Sequence, residues 1–101
     1  MRIIVLFDLP TITYQDQKAY RSFRNLLLKE GFLMMQESIY TKLALNRSIA
    51  NSAVTKIKNN RPKKGLIEIL TITEKQFSSI EYIVGEKETN VEDTETRLLI
   101  L

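Results

Sequence analysis

Among the 101 residues there is no cysteine and no histidine. Thiol nucleophiles, imidazole acid–base catalysis, disulfide staples and ordinary zinc sites are therefore excluded together in this chain. Any chemistry has to come from Asp, Glu, Lys, Tyr or Ser, or from a hard cation held by oxygens. Asp8 is the one acid in the first fifteen residues and closes the apolar run Ile3 to Phe7, just ahead of Pro10. Two readings of it stand side by side. It is a turn residue that hydrogen-bonds the backbone before the proline, or it is a cation ligand at the carboxyl end of a strand, where open sheets containing parallel strands collect their ligands. One carboxylate makes a poor metal site, but Mg²⁺ often uses only one or two, so a two-fold dimer juxtaposing two copies of Asp8 would suffice.

The second kind of chemistry is polyanion binding. The net charge of +3 conceals a split: residues 1–64 carry twelve Lys/Arg against four Asp/Glu, and residues 65–101 carry three against eight. The basic side chains cluster. Lys18, Arg21, Arg24 and Lys29 form one group, and Arg47, Lys56, Lys58, Arg61, Lys63 and Lys64 form another, with few acids between them. Such clustering, more than the net charge, suggests phosphate contacts. Lys18, Arg21, Arg24, Lys56, Lys58, Arg61, Lys63 and Lys64 are the expected polyanion-binding set. No Gly-rich phosphate loop, paired-acid spacing or nucleophile–base pair is present, and neither internal strand carries the Gly and Phe signature of an RNA-recognition sheet.

These residues need elements to position them. Arg2 to Asp8 reads as a strand buried on both faces. Thr13 with an acid three residues on predicts a capped helix, with Ala19, Tyr20, Phe23, Leu26 and Leu27 on its core face and Gly31 at its end. On that helix Arg21 and Arg24 project away from the apolar face, and Leu28 points nearly opposite to it. Phe32 to Leu45 reads as strand, bend at Gln36-Glu37, strand. Asn46 caps a second helix bearing Ile49, Ala50, Ala53, Val54 and Ile57, which closes near Asn59-Asn60 before the basic loop Arg61 to Gly65. Leu66 to Thr73 is a strand, Glu74 to Ser79 a single helical turn, and Ile80 to Val84 one more short strand. The order is that of a ferredoxin-like α+β fold, βαββαβ. An acidic linker then leads to Arg97 and the apolar Leu98, Leu99, Ile100 and Leu101, which want a surface to cover. The expected organisation is one domain over 1–85, with 86–101 as a linker and an additional C-terminal strand that pairs with a partner subunit. Nothing approaches a membrane span or a signal-peptide core, so a cytoplasmic location is expected.

Three segments carry a resemblance: Phe7-Asp8-Leu9-Pro10, Tyr20-Arg21-Ser22-Phe23-Arg24, and Gly31 through Gln36-Glu37-Ser38-Ile39-Tyr40. With the Thr73 to Phe77 turn and the acidic stretch before an apolar tail, they resemble the small CRISPR-associated adaptation protein, the Cas-two family, over nearly the whole chain. The similarity is to the branch found beside the large single-chain RNA-guided nuclease. The commoner family pattern has Tyr before the Asp and Val after the Gln-x-Ser, where this chain has Phe7 and Ile39. The resemblance implies a ferredoxin-like homodimer that bridges two dimers of the CRISPR integrase and holds protospacer double-stranded DNA for insertion into the repeat array. As the alternative, it implies an Mg²⁺-dependent endonuclease on single-stranded RNA or duplex DNA, with Asp8 as catalytic residue and metal ligand. The excess of basic residues over catalytic candidates favours the scaffold. A small-molecule regulatory domain of the same topology would need a pocket signature, and none is seen.

Overall fold

Strand β1 (Arg2–Asp8) is the centre of the molecule because both of its faces have apolar neighbours. The computed structural model describes residues 1–86. After β1 come α1 (Tyr14–Lys29), β2 (Leu33–Gln36), β3 (Ile39–Leu43), α2 (Arg47–Asn59), β4 (Leu66–Ile72) and the short α3 (Glu74–Ser78). The sheet order is β2-β3-β1-β4, and every pair is antiparallel. This is the ferredoxin-like α+β arrangement, a four-stranded antiparallel sheet with three helices. The antiparallel pairing corrects one premise, since the rule that ligands collect at strand ends belongs to parallel sheets and lends Asp8 no support here.

The alternation of side chains along β1 divides the core in two. Ile3, Val5 and Phe7 pack beneath Phe23 and Leu27 of α1 and Ala50, Ala53 and Ile57 of α2. Phe7 is ringed by Tyr20, Phe23 and Tyr40, with centroids 5.2 to 5.9 Å away. Ile4 faces the other way, onto Phe77 of α3, with Leu6, Ile39 and Ile72 around them.

Local chemistry sets the element ends. Thr13 and Asp16 cap α1 reciprocally, the Asp16 amide donating to Thr13 Oγ1 at 3.0 Å and the Thr13 amide to Asp16 Oδ2 at 3.2 Å. At its other end the Phe32 amide donates to the Leu27 carbonyl and the Gly31 amide to that of Leu28. Gly31 sits at φ 91°, which makes this a Schellman stop sealed by two buried apolar side chains. Asn46 Oδ1 accepts from the Ile49 amide to start α2. Between β2 and β3 the register shifts at Met34/Gln36, and Ser38 takes φ 67° while its carbonyl accepts from the Phe7 amide. The polar Gln36-Glu37-Ser38 segment thus builds a bulged turn that props the end of β1.

Gly65 fixes the basic loop. At φ 99°, a β-carbon there would lie 2.6 Å from Leu9 Cδ2 and 2.7 Å from the Asp8 carbonyl oxygen, so the loop is stacked on the end of β1 through a position that only glycine fits. Gly65→Ala is expected to cost about 2 to 4 kcal/mol from backbone strain plus collision with a backbone atom. A urea melt checks this, and a midpoint equal to the native one would show that the loop can swing away freely.

The strand expected over Ile80 to Val84 does not form. The Ser79 and Ile80 amides close the α3 turn onto Gln76 and Phe77 carbonyls, and Ile80 anchors in the cluster around Ile4. The short run before Gly85 carries no strand, and Ile83 and Val84 are 87% and 92% exposed. The expected C-terminal strand Arg97 to Leu101, and nearly all of the acidic linker, lie outside the described residues.

Candidate nucleic-acid interface

α1 and α2 lie side by side in opposite directions on one face of the sheet. The Glu30 carboxylate meets Lys56 Nζ at 2.9 Å at one end, and Asp16 lies 4.0 Å from Lys64 Nζ at the other. This pairing brings the two basic groups of the sequence together at a single place. Lys18 from α1 and Arg61, Lys63 and Lys64 from the loop after α2 line one open groove of about 670 Å³. Lys58 and Arg61 continue the positive surface towards β4, where they share a second hollow with Leu66 and Ile67.

Not all of the expected set stands free. Arg24 was expected to clear the core, but its Nε donates to the hydroxyl of the buried Tyr40 at 2.9 Å, because its wheel position falls on the flank towards β3. Arg21 points outward between the two flanks and is exposed. Lys56 is held by Glu30, whose carboxyl lies below its ordinary value of 4.5, chiefly through the hydrogen bond from Lys56; burial opposes the shift, and the charges of Lys56, Lys42 and Lys29 add to it. Arg61 Nη1 donates to the Lys58 carbonyl at 3.3 Å. Lys18, Arg21, Lys58 and Lys63 have no acidic partner among the described residues, so the four are the cations best able to exchange solvent for phosphate.

Two features were not foreseen. Arg2, counted as part of the basic half, is buried and donates through Nε and Nη2 to the two Glu74 carboxylate oxygens at 3.0 and 2.6 Å, with its guanidinium carbon 4.2 Å from the centre of the Phe77 ring. The cue was available: an arginine inside an apolar strand requires a carboxylate. The other is Tyr14, which lines the groove while 72% exposed. Its i, i+4 relation to Lys18 puts ring and amine on one helix face.

Asp8 is exposed at the end of β1. Its register partner is Leu66, and the sheet pleat puts it on the same face as Ile4, Leu6, Glu68 and Leu70, opposite α1 and α2. Leu33, Leu66 and Leu70 are 37%, 58% and 53% exposed on that face. No group of three or more acidic side chains that could hold a metal ion occurs among the described residues. Mg²⁺ often uses one or two carboxylates; here Asp8 has the exposed Glu68 diagonally across on the neighbouring strand, and a second copy of the chain would bring a further Asp8.

The arrangement defines an α+β protein of ferredoxin-like topology with a cationic helical side and a partly uncovered apolar sheet face. The chain belongs to the CRISPR-associated Cas2 family, whose model, described as CRISPR associated protein Cas2, matches residues 1–80. It is 48% identical to the CRISPR-associated endoribonuclease Cas2 of Streptococcus mutans over 101 residues, covering 100% of this chain and 93% of that protein. The protein of the same description from Treponema denticola is also 48% identical, with both chains covered in full. The crystal structure of Streptococcus pyogenes Cas2 at pH 6.5 is similar in fold, with a TM-score of 0.63 at 16% identity over 83% of this chain and 100% of that one. Among the described residues no helix is long and apolar enough to cross a membrane.

Proposed function

We propose that this CRISPR-associated protein is an adaptation scaffold: a homodimer that bridges dimers of the CRISPR integrase and holds protospacer duplex DNA by its phosphates. The observation that carries the reading is the convergence of Lys18, Arg61, Lys63 and Lys64 on one side of the helical layer, set against no group of three or more acidic side chains among the described residues. Phosphate contacts position a duplex without reading it, so unrelated sequences should bind alike. Dimerisation would use the other side of the sheet, where Leu66 and Leu70 remain half-exposed, with Arg97 to Leu101 covering an edge of the second copy. Affinity purification from the native host is the test. Co-recovery of a CRISPR integrase supports the scaffold, and its reproducible absence sinks it.

A second reading rests on the word endoribonuclease in the relatives' descriptions and on the exposure of Asp8. If two copies meet through the open sheet face, Asp8 from each would hold Mg²⁺, which polarises a phosphate and lowers the pKa of a bound water. Asp8→Ala should then abolish any metal-dependent cleavage while leaving spacer integration nearly unchanged. Loss of integration by a folded Asp8→Ala dimer would show that metal and scaffold roles cannot be separated.

A further inference from the structure

The groove between α1 and the basic loop has a composition that duplex binding leaves unexplained. A duplex presents phosphates on convex ridges and keeps its bases stacked inside, so it touches the lysines at the rim and has no use for what lies between them. Between them the groove is lined by Leu9, Pro10, Tyr14 and Pro62. Leu9 is buried, and the Tyr14 ring stands largely in solvent. Gly65 locks the loop against Leu9, so this lining is held in place.

Charge is compensated unevenly in the groove. The Asp16 carboxylate accepts from the Thr13 amide and faces Lys64, which balances that lysine. Lys18 and Lys63 have no such partner among the described residues. An aromatic ring beside uncompensated ammonium groups matches the pairing used for single strands, with a base on the ring and the phosphate on the cation. The volume of about 670 Å³ suits a nucleotide-sized ligand.

We infer that this groove is a subsite for one unpaired nucleotide, its base stacked on Tyr14 and its phosphate between Lys18 and Lys63. It supplements the duplex surface and rests on the phosphate-binding reading of the same cations. Its occupant is a nucleoside monophosphate unit, either free or at the end of a strand.

The test uses the full-length protein and two DNA hairpins with equal numbers of phosphates, one blunt and one with a short unpaired tail, compared by fluorescence anisotropy. The tailed hairpin should bind roughly tenfold more tightly, the scale of one base stacked on one aromatic. Tyr14→Ala should erase that advantage and leave the blunt hairpin unaffected, whereas Tyr14→Phe should preserve it. Tyr14 is exposed enough that the alanine variant should melt like the native protein, which circular dichroism checks. Competition by millimolar adenosine monophosphate against the tailed hairpin supports the subsite and assigns it to free nucleotides. A tail advantage that resists such competition supports it as a strand-end site. Equal binding of the two hairpins by the native protein, or a tail advantage that survives Tyr14→Ala, overturns the subsite while leaving the duplex reading intact. Failure of both hairpins to bind at low salt overturns the duplex reading as well.

Discussion

Glu74→Ala should destabilise the fold by about 2 to 4 kcal/mol, a large share of the stability of a domain this size. The Arg2 side chain is only 4% exposed, and Glu74 is 25% exposed. Removing the carboxylate takes two charge-assisted hydrogen bonds from a buried guanidinium that also packs on the Phe77 ring. Water reaches the Glu74 side, which keeps the cost below that of breaking a fully buried pair. The effect should extend beyond the pair, because the contact ties α3 to the start of β1 and so fixes Phe77 over Ile4. Thermal melts followed by circular dichroism should show a drop of about 8 to 25 °C, with Glu74→Gln falling between. A Glu74→Ala variant that melts within about 2 °C of the native chain would show that the two bonds to Glu74 are not what secures α3 to β1.

Lys18, Lys58 and Lys63 together should carry the largest share of nucleic-acid affinity. Each is exposed, and none has an acidic partner among the described residues, so replacing all three by alanine removes phosphate contacts without breaking an internal bond. At about 0.1 M salt the triple variant should bind duplex roughly two orders of magnitude more weakly. By contrast Lys56→Ala, which releases Glu30, and Arg24→Ala, which releases the Tyr40 hydroxyl, should act as much on stability as on binding.

The sequence was most legible where short-range chemistry decides structure. The Thr13 and Asn46 caps, the Gly31 stop and the continuous apolar run of β1 are written in residues close together in the chain, and the structure follows all of them. Partnerships across the chain were not legible. Arg2 and Glu74 are 72 positions apart, and Arg24 meets Tyr40 only because α1 lies over β3. A helical wheel orients a side chain relative to its own helix and cannot say what stands on the flank. The same limit hid the groove, since Tyr14 and Lys63 acquire a shared purpose only when the loop after α2 folds against the start of α1. Ile80 to Val84 misled for a related reason: an apolar run signals burial or pairing, and α3 captures its first residue before a strand can start.

The central claim is that the helical side holds nucleic acid through its phosphates, without reading bases. The most direct measurement is the salt dependence of duplex affinity for the native chain and the Lys18, Lys58, Lys63 triple alanine variant, each on two unrelated sequences. Each phosphate contact contributes about 0.9 to the slope of log affinity against log salt concentration. The slope should therefore flatten by about 2.7 per bound chain in the triple variant, equally on both sequences. An unchanged slope, or a strong preference for one of the two sequences, would contradict the account.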